Sequence, residues 1–283
     1  MSQVMKKLCY VLLVGLIAAS SANAQETDSK IPIIKANVQK EHIMFERMVW
    51  RRMDLKEKQN APFFSINGEL STLLIQGVKD GLIKPYMTDS CINIMPDSIF
   101  EANISIEVQG GGFDGGGFGG GFGGGFGNET STQQSSGPQF DPIPPSVMDV
   151  VYLRERVLFD RNRSRMYWYI QSLSLYLPGR AGSTYNPAGF EKMMANFKYE
   201  DVINLFRGPY ADKAIWYNNQ NQAQHRNYGD AFELRLFSAP ITKMSNAQNL
   251  DIRQQVTDPY DAVMMQQKLE YDLMEYESEL WEY

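Results

Sequence analysis

A glycine tract in the middle of the chain limits the fold more than any other feature of the sequence. Residues 110–127 read GGGFDGGGFGGGFGGGFG, and the polar stretch NETSTQQSSGPQ follows. Glycine loses more backbone entropy on ordering than any other residue, so the tract disfavours both helix and strand. We therefore predict a flexible Gly-rich and Pro-rich loop over residues 110–146, and a folded body made from the segments on either side of it.

The tract does not have the pattern of a phosphate-binding loop. A P-loop ends in Gly-Lys-Ser or Gly-Lys-Thr, and the dinucleotide fingerprint opens directly into a helix. This tract ends in FGNET, which contains no lysine and no helix start. A passive loop is the favoured interpretation. The regular spacing of the phenylalanines in the tract leaves open a second interpretation, in which these side chains make weak contacts with a neighbouring surface.

The N-terminus has the three parts of a secretory signal peptide. Lys6 and Lys7 precede an apolar run over residues 8–19, and the small residues Ala22 and Ala24 then form a cleavage pattern. We predict a signal peptide over residues 1–24, an N-terminal extension over residues 25–40 and an exported protein. A signal anchor is the alternative. Cys9 lies at the start of the apolar run instead of at its end, which argues against a lipoprotein.

The net charge argues against a nucleic-acid-binding protein, and the cysteine content argues against a disulfide-stabilised one. The formal net charge is −6, and it becomes more negative once Lys6 and Lys7 are removed, which argues against nucleic acid as a general partner. Only Cys91 would remain after cleavage, so no intramolecular disulfide is expected. A chain of this length can bury a sufficient core without one.

The remaining sequence mixes helical and strand patterns without βαβ alternation, which predicts an α+β fold. Helices are predicted over residues 41–60, 68–83 and 186–206, and strands over 91–100, 104–108 and 231–241. Residues 150–179 are predicted to form a β-hairpin around the turn-prone FDRNRS. Residues 41–109 thus form a helical and strand part, 147–250 an α+β part, and 251–283 an acidic helix that starts at Asp258 and Pro259.

No catalytic, metal or cofactor site is predicted. His42 and His225 lie far apart in sequence and have no metal-binding spacing. Cys91 has no basic neighbour in sequence that would lower its pKa, so a buried apolar role is favoured. Asp258 and Asp261 lie three residues apart, as paired catalytic carboxylates can, but capping of the last helix explains them better.

The candidate functional residues are instead those of a protein interface. Five arginines in the predicted hairpin form the one local basic excess: Arg154, Arg156, Arg161, Arg163 and Arg165. They suit either solvent exposure or an acidic partner surface. The last helix is strongly acidic, and apolar residues recur in it at helical spacing, including Val263 and Met264. We therefore select as further interface candidates Tyr271, Met274, Glu275, Glu279 and Trp281. This helix fits either the chain's own core or the groove of another chain.

Two stretches resemble the family of the gliding motility protein GldN, also called PorN. VWRRMDLKEKQNAPFF at residues 49–64 is similar to that family's Trp-x-x-x-Asp-Leu-x-Glu-Lys-x-Asn-x-Pro segment. NNQNQAQHRNYGDAFELRLFSAPITKMSN at residues 218–246 resembles its Asn/Gln-rich loop and the segment after it. The matching positions there are Arg226, Phe232, Glu233, Arg235, Phe237, Ser238, Lys243, Ser245 and Asn246. The glycine tract departs from the family pattern.

The resemblance implies a periplasmic structural subunit of the type IX secretion system, without catalytic residues. Proteins of this family form a ring under the outer membrane together with a lipoprotein of the GldK/PorK type. They also contact the periplasmic part of the motor protein GldM/PorM. The alternative function is a periplasmic carbohydrate-active enzyme that uses paired carboxylates and stacks sugars on Tyr167, Trp168 and Tyr169.

Overall fold

A computed structural model describes residues 38–108, 139–180, 183–186 and 189–281. The predicted signal peptide, most of the N-terminal extension and the glycine tract lie outside the described residues, as does the side chain of Trp281. Within this part of the chain, no helix is long and apolar enough to cross a membrane.

The fold is α+β, as predicted, and is built on one five-stranded antiparallel sheet. Its strands follow the order β6-β5-β4-β1-β9. Their bounds are β1 (Ile43–Asp54), β4 (Val150–Asp160), β5 (Arg165–Leu177), β6 (Lys192–Lys198) and β9 (Ile241–Met244). Two small sheets pair β2 (Ser105–Val108) with β3 (Gln139–Pro142) and β7 (Ile215–Trp216) with β8 (Arg226–Asn227). The helices are α1 (Leu70–Lys79), α2 (Asp97–Asn103), α3 (Tyr199–Arg207), α4 (Tyr228–Glu233), α5 (Ile252–Gln255) and α6 (Pro259–Trp281).

The helix predicted over residues 41–60 is wrong, because that stretch contains β1, the fourth of the five strands in sheet order. Phe45, Val49 and Met53 are spaced by four, which fits a helical stripe and also one face of a strand. The pairing of β1 with β4 decides in favour of the strand, with Val49 opposite Glu155. His42 accordingly ends a short 3-10 turn, Lys40–His42, instead of lying in the first turn of an α-helix.

The predicted hairpin is confirmed. β4 and β5 pair from Asp160 opposite Arg165 to Val150 opposite Tyr176, and a turn over residues 161–164 joins them. Ser164 adopts a positive φ of 47° in that turn. The hairpin therefore forms from local sequence signals, and its two strands provide the middle of the sheet.

Three other predicted elements change type at least in part. Residues 97–100 belong to helix α2, although a strand is predicted there, because Pro96 sets an extended N-cap and Asp97 occupies the first turn. The first half of the helix predicted over residues 186–206 is strand β6, and only α3 is helical. The strand predicted over residues 231–241 begins instead in α4, whose N-cap Asn227 accepts a hydrogen bond from the Gly229 amide at 2.8 Å.

Two predicted elements with clear end signals are confirmed. Helix α1 lies inside its predicted range, and the chain turns after it at Gly81, whose φ is +70°. Helix α6 begins at Pro259, and the Asp258 side chain accepts a hydrogen bond from the Tyr260 amide at 2.9 Å. Strand β2 also lies in its predicted position.

The same face of the sheet packs into two separate hydrophobic cores. The larger one, called here the main core, lies under α1, α3 and α4 and contains Met53, Leu153 and Phe232. The smaller one, the helix core, lies under α6. Its buried members are Val49, Val157, Phe159, Met166, Ile241, Ile252, Ala262 and Leu273.

Candidate functional site

The five predicted interface arginines divide into two groups with different surroundings. Arg154 and Arg156 lie on β4, and both are engaged within the chain. The Nε atom of Arg156 donates to Glu46 Oε1 at 2.7 Å, and this bond holds the pKa of Glu46 below its ordinary value. The guanidinium of Arg154 lies 5.8 Å from the Trp50 ring centre, and its Nη1 donates to the Asp89 carbonyl at 3.3 Å. These two residues are therefore parts of the folded body.

The other three arginines form an exposed arginine tip at the hairpin turn: Arg161, Arg163 and Arg165. Arg163 lies 3.8 Å from Asp160 Oδ2, and Arg161 and Arg165 form no ion pair among the described residues. Two of the three arginines thus have no carboxylate partner in the described part of the chain, so the tip carries a net positive charge. It is the part of the predicted basic cluster that is available to a partner.

Among the described residues, helix α6 packs on its own chain through one face. That face contributes Ala262 and Leu273 to the helix core, and further side chains pack against it: Met265, Leu269, Tyr276 and Leu280. The Tyr276 ring lies 4.6 Å from the Phe45 ring, between centres. This set recurs at helical spacing and differs from the apolar set singled out in the sequence.

The apolar residues selected from the sequence lie on the opposite side of α6. Tyr271 is 71% exposed and Met274 is 58% exposed. We call this exposed row the outer stripe: Tyr260, Val263, Met264, Tyr271 and Met274. Glu275 and Glu279 are exposed beside it, whereas the side chain of Trp281 lies outside the described residues. An exposed apolar row rimmed by acidic groups is typical of a binding surface.

A buried charge cluster that sequence reasoning missed lies between the two cores. Glu155 is fully buried on β4 and is bound by Arg51 of β1 and by Arg235, which follows α4. Arg51 Nε donates to Glu155 Oε2 at 3.1 Å, and Arg235 Nη2 donates to the same oxygen at 3.1 Å. Arg235 Nη1 lies 3.0 Å from Oε1, outside hydrogen-bond geometry. We call these three residues the Glu155 cluster.

The Glu155 cluster also ties α6 to the sheet. Arg51 Nη1 donates to Glu270 Oε1 on α6 at 3.0 Å and to the Ala239 carbonyl at 2.8 Å. Both guanidinium groups lie over the Trp168 ring, 5.2 and 5.3 Å from its centre. Trp168 thus packs against two cations inside the fold. Among the described residues, the arginine that pairs with the acidic helix is therefore Arg51 and not one of the arginine tip.

The two stretches that carry the family resemblance meet in the structure. Asn60 is fully buried, and its side chain donates to the Ser238 carbonyl and accepts from the Ser238 amide, both at 2.8 Å. Asn60 also donates to the Asp54 carbonyl at 2.8 Å. Arg51 and Arg235, one from each stretch, meet at Glu155. The motif residues therefore hold distant segments together, which is an architectural role.

The other residues considered for chemistry lie in unremarkable surroundings. Burial raises the pKa of the Cys91 thiol to about 11, which opposes a nucleophilic role. The His225 ring packs on Tyr217, 4.3 Å between centres. Asp258 caps α6, and Asp261 lies in its first turn. Across the described ranges, no group of three or more His, Cys, Asp or Glu side chains is placed to hold a metal ion.

A cleft of about 230 Å³ runs beside one end of β5. One wall is β5 itself, and the other comprises side chains at the start of α3 and the end of α4. The residues of this second wall are Tyr199, Phe232, Glu233 and Arg235. Tyr199 donates a hydrogen bond to Glu233 Oε1 at 2.7 Å, and burial raises the pKa of its hydroxyl.

These features define an α+β protein whose distinctive surfaces are suited to binding other proteins. Residues 38–282 match the family model of the gliding motility associated protein GldN, so the chain belongs to the GldN family. Membership makes it a component of the gliding motility and type IX secretion machinery. No curated protein matches the chain.

Proposed function

We propose that the protein is a non-enzymatic structural subunit of this machinery in the periplasm, where it assembles with copies of itself into a ring. It binds an outer-membrane lipoprotein of the GldK/PorK type and the periplasmic part of a GldM/PorM-type motor protein. Its association with the outer membrane is then indirect, through the lipoprotein. Family membership supports a place in this machinery, and the exposed surfaces of the chain support a role in its assembly.

The observation that carries the assembly role is the outer stripe of α6. The opposite face of the helix is already packed on the helix core, and no described part of the chain covers this second apolar row. An apolar row supplies affinity for a partner, and flanking charges such as Glu275 and Glu279 supply orientation and association rate. The arginine tip of a neighbouring copy has the complementary charge.

A double variant tests this role. Tyr271→Ser with Met274→Ser removes two exposed apolar side chains, so the midpoint of thermal unfolding should stay within a few degrees. In cells, the tagged variant should no longer co-purify with a large envelope complex, whereas the tagged parent chain should. Ile66→Ser is the matched control, because Ile66 is 88% exposed and lies outside α6.

Two results would contradict the proposal. The double variant would enter the large complex as well as the parent chain does, or the parent chain itself would be recovered as a monomer. A monomer that hydrolyses glycans would instead favour a carbohydrate-active enzyme.

A further inference from the structure

The strand β5 is longer than the strand that pairs with its outer edge. β6 pairs with β5 only from Ser172 opposite Lys198 to Leu177 opposite Lys192. At Tyr199 the chain leaves the sheet and begins α3. Among the described residues, no strand pairs with the outer edge of β5 over residues 165–171, which we call the free edge. The free edge is about 23 Å long at 3.3 Å per residue.

The cleft described above occupies the position in which β6 would have continued. It is lined by residues 165–170 of β5 on one side and by the helix side chains, among them Phe232 and Arg235, on the other. The backbone groups that alternate along the free edge therefore point into a cleft. Unpaired edge groups of this kind are a template for another strand.

Between Arg165 at one end of the free edge and a register shift at Gln171 at the other, the edge lacks two devices that usually prevent such pairing, proline and charged side chains. Residues 166–170 read MYWYI, which contains no proline and no charged residue, and all five have high strand propensity or are strongly apolar. Natural proteins usually keep their edge strands short, place charged residues in them or cover them with another element. The composition indicates an edge that is covered in the assembled state.

The shape and charge of the cleft specify what covers it. The free edge is one wall of the cleft and the side chains of Tyr199, Phe232, Glu233 and Arg235 are the other, so a segment that enters the cleft lies between the two. Arg165 lines the cleft at one end, with Arg161 and Arg163 of the arginine tip beside it. The Arg235 guanidinium on the opposite wall is already paired with Glu155, so the positive charge available to a partner is that of Arg165 and the tip. The one acidic lining residue, Glu233, already accepts a hydrogen bond from Tyr199.

We propose that the free edge binds an extended acidic segment of a partner protein by β-strand addition, in which main-chain hydrogen bonds supply affinity and the arginines select a carboxylate. The segment takes the place of a continued β6 and pairs with the backbone of residues 166–170. This inference rests on the proposed function, since it supplies a second contact by which the subunit binds another component of the machinery.

Hydrogen–deuterium exchange resolved at single amides tests the inference on the full chain. The free protein is compared with the complex that co-purifies with the tagged chain from detergent-solubilised envelopes. We expect alternate amides within residues 166–170 to exchange at least tenfold more slowly in the complex. The same amides in the free chain should exchange rapidly.

The possible results distinguish a failure of this inference from a failure of the proposed function. A complex in which these amides are unchanged would overturn strand addition and leave the proposed function intact. Protection already present in the free chain would overturn it as well, because the chain would then cover its own edge. If no complex is recovered, the proposed function fails and this inference fails with it.

A charge variant provides an independent check. Arg165→Glu should weaken recovery of the complex about tenfold and remove most of the protection at residues 166–170 in the complex that remains. Arg253→Glu is the control, because Arg253 is an exposed arginine on α5, away from the cleft. Equal behaviour of the two variants would contradict the proposed acidic partner segment.

Discussion

The main core and the helix core use the same face of one sheet but are closed in different ways. Several helices cover the main core, and helices such as α1 and α3 are apolar mainly on the side that faces the sheet. The helix core is covered by α6, which is apolar on two sides. A helix with one apolar stripe completes a core, whereas a helix with two also presents a surface to another molecule.

The Glu155 cluster marks the boundary between the two cores. Its neighbours on the same face of β4 are Leu153 in the main core and Val157 in the helix core. Burying a charge such as that of Glu155 is costly unless it is paired, and Arg51 and Arg235 supply that pairing. The cluster joins strand β1, the segment after α4 and helix α6 at one point, and so holds the two cores in register.

Among the substitutions predicted here, one that breaks the Glu155 cluster should cause the largest loss in the free energy of unfolding. Glu155→Gln removes the carboxylate shared by Arg51 and Arg235, so Arg51 keeps only its pair with Glu270 and Arg235 keeps no ion pair among the described residues. Removal of one partner from a buried pair costs about 3–5 kcal/mol. Urea unfolding followed by far-UV circular dichroism measures the loss. Glu275→Gln, an exposed residue of α6, should change stability by less than about 0.5 kcal/mol. A loss below about 1 kcal/mol for Glu155→Gln would show that the cores do not depend on the cluster.

The second-largest loss of stability should distinguish the buried side of α6 from its exposed side. Leu273 is buried in the helix core, so Leu273→Ala should cost about 2–4 kcal/mol through lost burial and a cavity. Met274 is the adjacent residue on the outer stripe, and Met274→Ala should change stability by less than about 0.5 kcal/mol. Urea midpoints of the two variants provide the test. Equal losses would mean that both sides of the helix are packed in the free protein.

The smallest effect concerns the other face of the sheet, where Glu46 pairs with Arg156. Both side chains are partly exposed, so Glu46→Gln should cost only about 0.5 kcal/mol at neutral pH. The pKa of Glu46 is lowered in the folded state, so its contribution is present above the ordinary glutamate pKa and disappears as the pH falls through the folded value. The difference between parent and variant should therefore begin to shrink as the pH falls below the ordinary glutamate pKa of about 4.3, and vanish once the pH lies below the lowered pKa of the folded state. A difference that does not shrink between about pH 5 and about pH 2 would contradict the pairing.

Sequence patterns predicted the elements whose signals are local. The hairpin follows from two runs of strand-forming residues around a polar turn, and α6 follows from Asp258 and Pro259 at its start. These signals need only neighbouring residues, and they hold in the structure. The family resemblance is likewise visible from short motifs, and it is confirmed over residues 38–282.

The candidate site was predicted only in part. Tyr271 and Met274 are exposed and stay candidates, and so do the three arginines of the tip, whereas Arg154 and Arg156 are bound within the fold. The Glu155 cluster had no sequence signal, because its members come from three distant segments. Glu155 and Arg51 each lie among alternating or mixed residues that suit exposure as well as burial.

By itself, the sequence determined the local features of this protein: where the chain turns, where α6 begins, and that the molecule is α+β. The tertiary structure decided the rest. Phe45, Val49 and Met53 are spaced by four, which fits both a helix and a strand, and only pairing with β4 selects the strand. The two apolar rows of α6 are similarly equivalent in sequence, and only contact with the sheet buries one of them. Long-range contacts make these choices because burial depends on what lies opposite a side chain, and a local pattern does not contain that information.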